Sequence, residues 1–370
     1  MRIHTVARFA YLGEVRRTIG MDAQVVVVTG ASSGIGRAVA RAYGARRARV
    51  ALLARNREAL EACALEIRRA GGEAVVYPVD VSMADAVEAA AADVERLWGR
   101  IDVWVNVAMV TVFAPVKDTT AEEFRRVTEV TYLGYVHGTL SALRRMLPRD
   151  AGTIVQVGSA LAYRSIPLQS AYCAAKAAIR GFTDSLRTEL IHDGSRVRVT
   201  HVHLPAVNTP QSERQRNKMP KRQQPVPPLF DPEDIAAAIL QAADRAPREM
   251  LVGVPTAKAV LGQKAVPGLL DRFLADAAWE PQFVDQPNDQ TDDILFHPLP
   301  GDPGAHGPYR DRERGPDLLM RAQMHPLAAA LTALGAGLAA IAIVTGAARG
   351  VAAGSSRSGG SRTGEGASRP

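Results

Sequence analysis

Val25-Val26-Val27-Val28-Thr29-Gly30-Ala31-Ser32-Ser33-Gly34-Ile35-Gly36 is the stretch that decides the fold. Four consecutive β-branched residues read as a strand buried on both faces, as in a parallel sheet. A glycine-rich turn follows at once, and Arg37 to Arg47 continues as a helix with Val39, Ala40 and Tyr43 on one side. Strand, glycine turn and helix in that order are the context in which such a turn binds a dinucleotide. Glycines let the backbone approach a pyrophosphate, and the helix start offers N–H groups that lack helical partners. Gly30, Ser32, Ser33, Gly34, Ile35 and Gly36 are therefore the first candidate cofactor contacts. The alternative is a tight strand–helix connection that holds no ligand.

Downstream, Tyr172-Cys173-Ala174-Ala175-Lys176 follows Ser159. A tyrosine and a lysine four apart share a helix face. There an ammonium can favour the tyrosinate, whose ordinary pKa of about 10 is too high for base work near neutrality. A serine hydroxyl nearby can hold a carbonyl oxygen. Alone the Tyr-x-x-x-Lys spacing is common, and its weight comes from the glycine turn upstream.

Taken together, Thr29 to Gly36, Ser159, Tyr172 and Lys176 resemble the short-chain dehydrogenase/reductase family over roughly Asp22 to Pro255. The resemblance implies an α/β, Rossmann-type doubly wound parallel sheet, a nicotinamide cofactor and carbonyl–alcohol redox chemistry. It assigns Tyr172 as proton donor, Lys176 as its modulator and ribose contact, and Ser159 as the group that orients the carbonyl. Leu161, Ala162, Ile166 and Pro167 near Ser159 suggest an apolar small-molecule substrate, although core packing explains them nearly as well.

Cofactor preference is read at the end of the second strand, Arg49 to Ala54. An acid there would bond the ribose hydroxyls of NAD. This chain has Arg55, with Arg57 two residues on and Arg37 directly after Gly36. Guanidinium groups suit phosphate, so the expectation is NADP(H), with Arg55 and Arg37 among its contacts and Arg57 a solvated loop residue. Asp80 and Val81, after the strand Ala74 to Val79, resemble the family's adenine contact. Pro205, Val207 and Thr209 stand where the family meets the nicotinamide carboxamide.

The chain also departs from the family. Asn106-Val107-Ala108-Met109 replaces the usual Asn-Asn-Ala-Gly, keeping Asn106 as a cofactor-side candidate but losing an amide and a glycine. Thr131 stands where the family's fourth catalytic residue, an asparagine that holds a water beside the lysine, is expected. These changes leave room for two other readings: an NADP-binding regulatory or scaffold protein, or an epimerase or dehydratase on the same fold.

Composition bounds the rest. The 370 residues exceed one Rossmann unit, and 47% hydrophobic content supports a sizeable core. Two cysteines, Cys63 and Cys173, make no disulfide framework, and no Cys/His cluster has metal spacing. Residues 1–20 carry four basic groups and one acidic, and residues 301–370 carry eight and five, so six of the seven excess positive charges lie outside the enzyme body. That argues against a nucleic-acid groove on the core. Arg214, Arg216, Lys218, Lys221 and Arg222 fall where the family has its substrate lid and read as a mobile, solvated loop. The expected organisation is an N-terminal extension (1–20, a disordered arm or a misassigned start before Met21), a catalytic domain (21–255), a C-terminal extension (256–325) with one helix over Ala257 to Ala278, a transmembrane helix (326–349) and a disordered tail (350–370). Leu327 to Ala348 has no charge and two hydroxyl residues, and at about 1.5 Å per residue it is long enough to cross a bilayer core. The catalytic domain is expected on the cytoplasmic side. A helix docked on the protein or in a homo-oligomer interface is the alternative for this segment.

Overall fold

The computed structural model describes residues 23–324, and the described compact unit ends at Met320. Both the N-terminal extension and the apolar segment 327–348 lie outside the described residues. Among the described residues no helix is long and apolar enough to cross a membrane.

Seven strands form one sheet: β1 (Val25–Thr29), β2 (Arg49–Ala54), β3 (Glu73–Pro78), β4 (Val103–Asn106), β5 (Thr153–Val157), β6 (Arg198–His203) and β7 (Glu249–Leu251). Their order is β7-β6-β5-β4-β1-β2-β3, and every pairing is parallel. The valines of β1 are fully buried on both faces. Val26 and Val28 join one apolar cluster and Val25 and Val27 the other, the period-2 alternation of a strand covered on two sides. Strand order reverses between β1 and β4, which leaves a crevice at the carboxyl ends of these two strands where ligands of such sheets bind.

Helices α1 (Gly34–Ala45), α2 (Arg57–Arg69), α3 (Ala84–Trp98), α4 (Ala121–Thr128), α5 (Gly134–Met146), α6 (Ser170–His192) and α7 (Pro232–Arg245) fill the layers on either side. The start of α7 is the one Asp231-Pro232-Glu233-Asp234 signals in the sequence: Asp231 caps it by accepting from Glu233 N–H at 2.7 Å, and Pro232 takes the first position. Three sequence expectations need correction. The single helix over Ala257 to Ala278 is two, α8 (Gly253–Ala265) and α9 (Pro267–Ala277), because Pro267 supplies no N–H to continue the first. Met250 to Val254 reads in the sequence as the last strand, but β7 stops at Leu251 and gives way to α8 at Gly253. The basic run is not a free loop: Arg216 pairs with Glu123 and Asp293 at 3.1 and 2.8 Å, Lys218 with Glu123 at 3.0 Å, Lys221 with Asp285 at 3.0 Å and Arg222 with Glu213 at 3.1 Å. Glu123 is buried, which raises the pKa of its carboxyl, but the Thr120 N–H and its two cations outweigh burial and hold it below the usual range.

Residues after α9 pack back onto the Rossmann unit. Strands Leu229–Phe230 and Glu313–Arg314 pair, as do Phe283–Pro287 and Lys221–Gln223. His306 Nδ1 lies 3.2 Å from Glu313 Oε1, which also accepts from Asn208 at 2.7 Å. These bonds fasten the extension to the loop after β6.

Candidate active site

The crevice at the switch point opens into a cavity of about 500 Å³. Its walls run from Gly30 and Ser33 past Arg55 and Asp80 to Ser159, Tyr172 and Lys176, so glycine turn and triad share one space. The turn is closely fitted. Gly30 has φ +69°, and a Cβ there would lie 2.8 Å from Ala108 Cα. A Cβ on Gly36 would lie 2.2 Å from Gly30 O. Thr29 Oγ1 accepts from Val107 N–H at 3.0 Å and from Ala108 N–H at 3.2 Å, which ties the turn to the loop after β4. Ser33 is the N-cap of α1, yet its side chain makes no capping bond. A hydroxyl and first-turn N–H groups therefore stand at a helix start whose dipole favours an anion.

Arg55 lines the cavity, but its guanidinium is already gripped. Nη1 donates to Phe296 O at 3.0 Å and Leu295 O at 3.4 Å, and Nη2 donates to Ile294 O. Asn56 Nδ2 donates to Leu299 O at 2.8 Å and Gly301 O at 2.9 Å, and Gly34 N–H donates to Gly304 O at 3.1 Å. Residues 294–304 thus lie as a strap across the outer edge of the cofactor crevice. Nothing in the local sequence of 294–304 signals this contact, which joins positions some 240 residues apart.

Three candidate residues stand elsewhere than the sequence suggested. Arg37 is buried behind the turn and outside the cavity lining; it pairs with Glu66 at 3.0 Å and with both oxygens of Asp302, so it cannot meet a cofactor phosphate. Asn106 is a core residue: its amide joins Trp104 Nε1 at 2.8 Å, Gln156 at 2.9 Å and Thr139 at 3.2 Å, and it has no exposed surface. Thr131 is fully buried; its hydroxyl donates to Val110 O at 2.8 Å and accepts from Val110 N–H at 3.0 Å. This hydroxyl therefore clasps the backbone beside the cavity. Around it the chain takes a π-helical turn, Glu129–Leu133, between α4 and α5. Such turns recur at functional sites. Asp80 and Val81 remain on the cavity wall, Asp80 bonded by Ser82 N–H at 3.0 Å and by Arg126. Pro205, Val207 and Thr209 line the same wall.

The triad sits at the cavity floor. Ser159 Oγ accepts from Leu161 N–H at 3.1 Å, and Ser159 and Tyr172 line the same cavity. Burial pushes Tyr172 well above its ordinary pKa, and the nearby Ser159 hydroxyl pulls the other way with less effect. Lys176 is buried, and burial lowers its pKa to about 7. Its Nζ donates to Val157 O at 2.7 Å and Tyr135 Oη at 2.9 Å, and lies 5.6 Å from the Tyr172 ring centroid. The expected stabilisation of a tyrosinate is thus outweighed by desolvation, and Tyr172 keeps its proton near neutrality.

Behind Ser159 lie two histidines the sequence reading passed over. His201 and His203 alternate on one face of β6 with ring centroids 4.1 Å apart, and His203 Nδ1 is 3.2 Å from Ser159 O. Burial lowers the pKa of both, so they are neutral near pH 7. A Cβ on Gly158 would lie 2.4 Å from His201 Nε2, so that position admits only glycine. Period-2 spacing was the available signal for the pair.

The short chain dehydrogenase family model matches residues 24–220. The chain is 34% identical over 279 residues to the uncharacterized oxidoreductase YxnA of Bacillus subtilis, covering 74% of this chain and 78% of that one. It is 33% identical over 268 residues to dehydrogenase/reductase SDR family member 7B of Bos taurus, covering 69% and 81%. A fatty acyl-CoA reductase of Acinetobacter baylyi is 28% identical over 229 residues, covering 61% and 75%. Among solved structures, a metagenomic short-chain oxidoreductase in complex with NADP superposes with a TM-score of 0.50 at 33% identity, over 60% of this chain and 90% of that one.

Proposed function

This chain belongs to the short-chain dehydrogenase family and is a nicotinamide-dependent oxidoreductase of alcohol and carbonyl groups; from that premise we propose that it is an NADP(H)-dependent reductase of an apolar carbonyl compound, working through Ser159, Tyr172 and Lys176. One observation carries the reading: the Ser159–Tyr172 hydroxyl pair and Lys176 stand at the floor of the cavity whose other end is the glycine turn.

The crevice fits the dinucleotide. Its glycines leave no room for side chains, and Ser33 offers an uncapped hydroxyl at a helix start. Of the five N–H groups of a guanidinium, Arg55 gives three to the carbonyls of 294–296. Two are left for a 2′-phosphate, on a side chain the strap already orients. That favours NADP(H) over NAD(H), in line with the NADP bound in the structural neighbour.

When bound, the reduced cofactor supplies a hydride. The protein residues supply the proton and the orientation. Ser159 and Tyr172 hydroxyls together hold the substrate oxygen. Tyr172 gives up its proton as negative charge develops on that oxygen. Lys176 then supports the phenolate left behind. Leu161, Ile166, Leu204, Val226 and Leu274 on the substrate side favour an apolar chain next to the carbonyl. The name of the acyl-CoA reductase relative points the same way. The uncharged segment 327–348 is read as a membrane anchor that would keep such an enzyme near lipophilic substrates. Assaying NADPH oxidation against aldehydes and ketones of increasing chain length tests the substrate class. Failure of every carbonyl compound while NADPH still binds would favour a binding protein instead.

A further inference from the structure

Lys176 is an unusual cation in this molecule. It is almost fully buried, and among the described residues it has no carboxylate partner. What it does have is Tyr135, on the first turn of α5, two residues past the end of the π-helical turn. The Tyr135 hydroxyl has one hydrogen, and it points to Val157 O at 2.8 Å. Toward Lys176 Nζ, at 2.9 Å, it can only accept. The same ammonium lies 4.7 Å from the Tyr135 ring centroid, so one side chain offers a lone pair and a π face to one buried charge. Val157 O takes a second N–H at 2.7 Å. Two of the three ammonium hydrogens are thereby fixed and the third is left toward the cavity.

The local chain is built for this approach. Thr131 clasps Val110 and opens the helix into a π turn. A Cβ on Gly134 would lie 2.7 Å from Val81 Cγ2, so glycine lets α5 pack close enough to bring Tyr135 under the lysine.

We propose that Tyr135 is the positioning residue of the proton-transfer site, holding the Lys176 ammonium in place and in its charged form. The inference rests on the Ser159–Tyr172–Lys176 reading. The other titratable groups around Lys176 are Tyr172 on its own helix and His201 and His203 on β6. Both tyrosines are raised and both histidines lowered, so none of them changes charge between about pH 5 and the ordinary tyrosine range near 10. Lys176, with burial alone lowering it to about 7, is the group that titrates there.

The sign follows. A cofactor with anionic phosphates favours the ammonium, so affinity is highest below the lysine pKa and falls as pH rises through it. Removing the Tyr135 oxygen takes away a bond to the charged form, which lowers that pKa further. The experiment is NADP⁺ affinity by titration calorimetry across this range for the wild-type protein, Tyr135→Phe and Lys176→Met. In the wild type, affinity should decline through a midpoint near neutrality. Tyr135→Phe should move that midpoint down by about one pH unit while its affinity at the acid end stays within about twofold of wild type, since the ring and its packing remain. Lys176→Met should abolish the decline. If Tyr135→Phe keeps the wild-type midpoint while Lys176→Met abolishes the decline, Tyr135 is only a packing residue and the inference is overturned. If Lys176→Met keeps the decline, the assignment of Lys176 to the cofactor site fails, and this inference with it.

Discussion

At the scale of single residues, desolvation decides what the site can do. Tyr172 and Lys176 were both legible from spacing, but their protonation was not, because it depends on burial that the sequence does not display. A buried phenol stays protonated, which is the state that the proposed role of Tyr172 as proton donor in the reductive direction requires. Arg55 shows the same limit. Its place at the end of β2 was readable, yet not that three backbone carbonyls from 294–296 would share its guanidinium. Arg37 and Asn106 were misplaced because a motif gives position along the chain and not side-chain direction: one turns to Glu66 and Asp302, the other into the core beside Trp104. For Arg55 the expected outcome is selective. Arg55→Ala should weaken NADPH binding by about tenfold or more and NADH binding much less, since charge-assisted contacts to a phosphate are among the stronger hydrogen bonds. Cofactor fluorescence titration checks this, and equal losses for both cofactors would remove Arg55 from phosphate recognition.

At the scale of elements, the strand–turn–helix start of the sheet was fully legible, because β1 is a run of valines and the turn needs glycine at Gly30 and Gly36 for steric reasons. The join between α4 and α5 was not. Thr131 read as a replacement for a water-holding asparagine, whereas its hydroxyl bonds both backbone groups of Val110 and supports a π turn. Thr131→Val keeps the shape and removes both bonds. Leaving the buried Val110 groups unpaired should cost about 1–3 kcal/mol for each. We expect a lower unfolding midpoint in denaturant and a larger loss of turnover than of NADPH affinity, because the turn carries Tyr135 toward Lys176. An unchanged midpoint would show that the turn does not need the clasp. Pro267 teaches a simpler lesson, since a proline inside a helical pattern was visible and should have divided α8 from α9.

At the scale of the whole molecule, the catalytic unit does not end with the last strand. Asp317 Oδ2 accepts from Val254 N–H at the start of α8 at 2.6 Å, Met320 is buried, and Glu313 holds Asn208. The Pro-, Asp-, Gly- and His-rich composition of residues 280–317 reads as extended chain but does not show that 294–304 pack at the cofactor crevice, because those contacts depend largely on backbone carbonyls rather than side-chain type. A chain cut after Gly315 loses Asp317 and Met320 and should be less stable than one cut after Met324. The latter should still bind NADPH and, if 327–348 anchors the protein, should move from the membrane to the soluble fraction. Equal stability of the two truncations would contradict the structural role given to the extension. The central claim is that glycine turn and triad form one redox site, and the most direct test is Tyr172→Phe, which keeps the ring and removes the transferable proton. With a carbonyl compound that the wild-type enzyme reduces, the account predicts a fall in kcat of at least about 100-fold, as for loss of a general acid, with NADPH affinity unchanged. Turnover near the wild-type rate in Tyr172→Phe would contradict it.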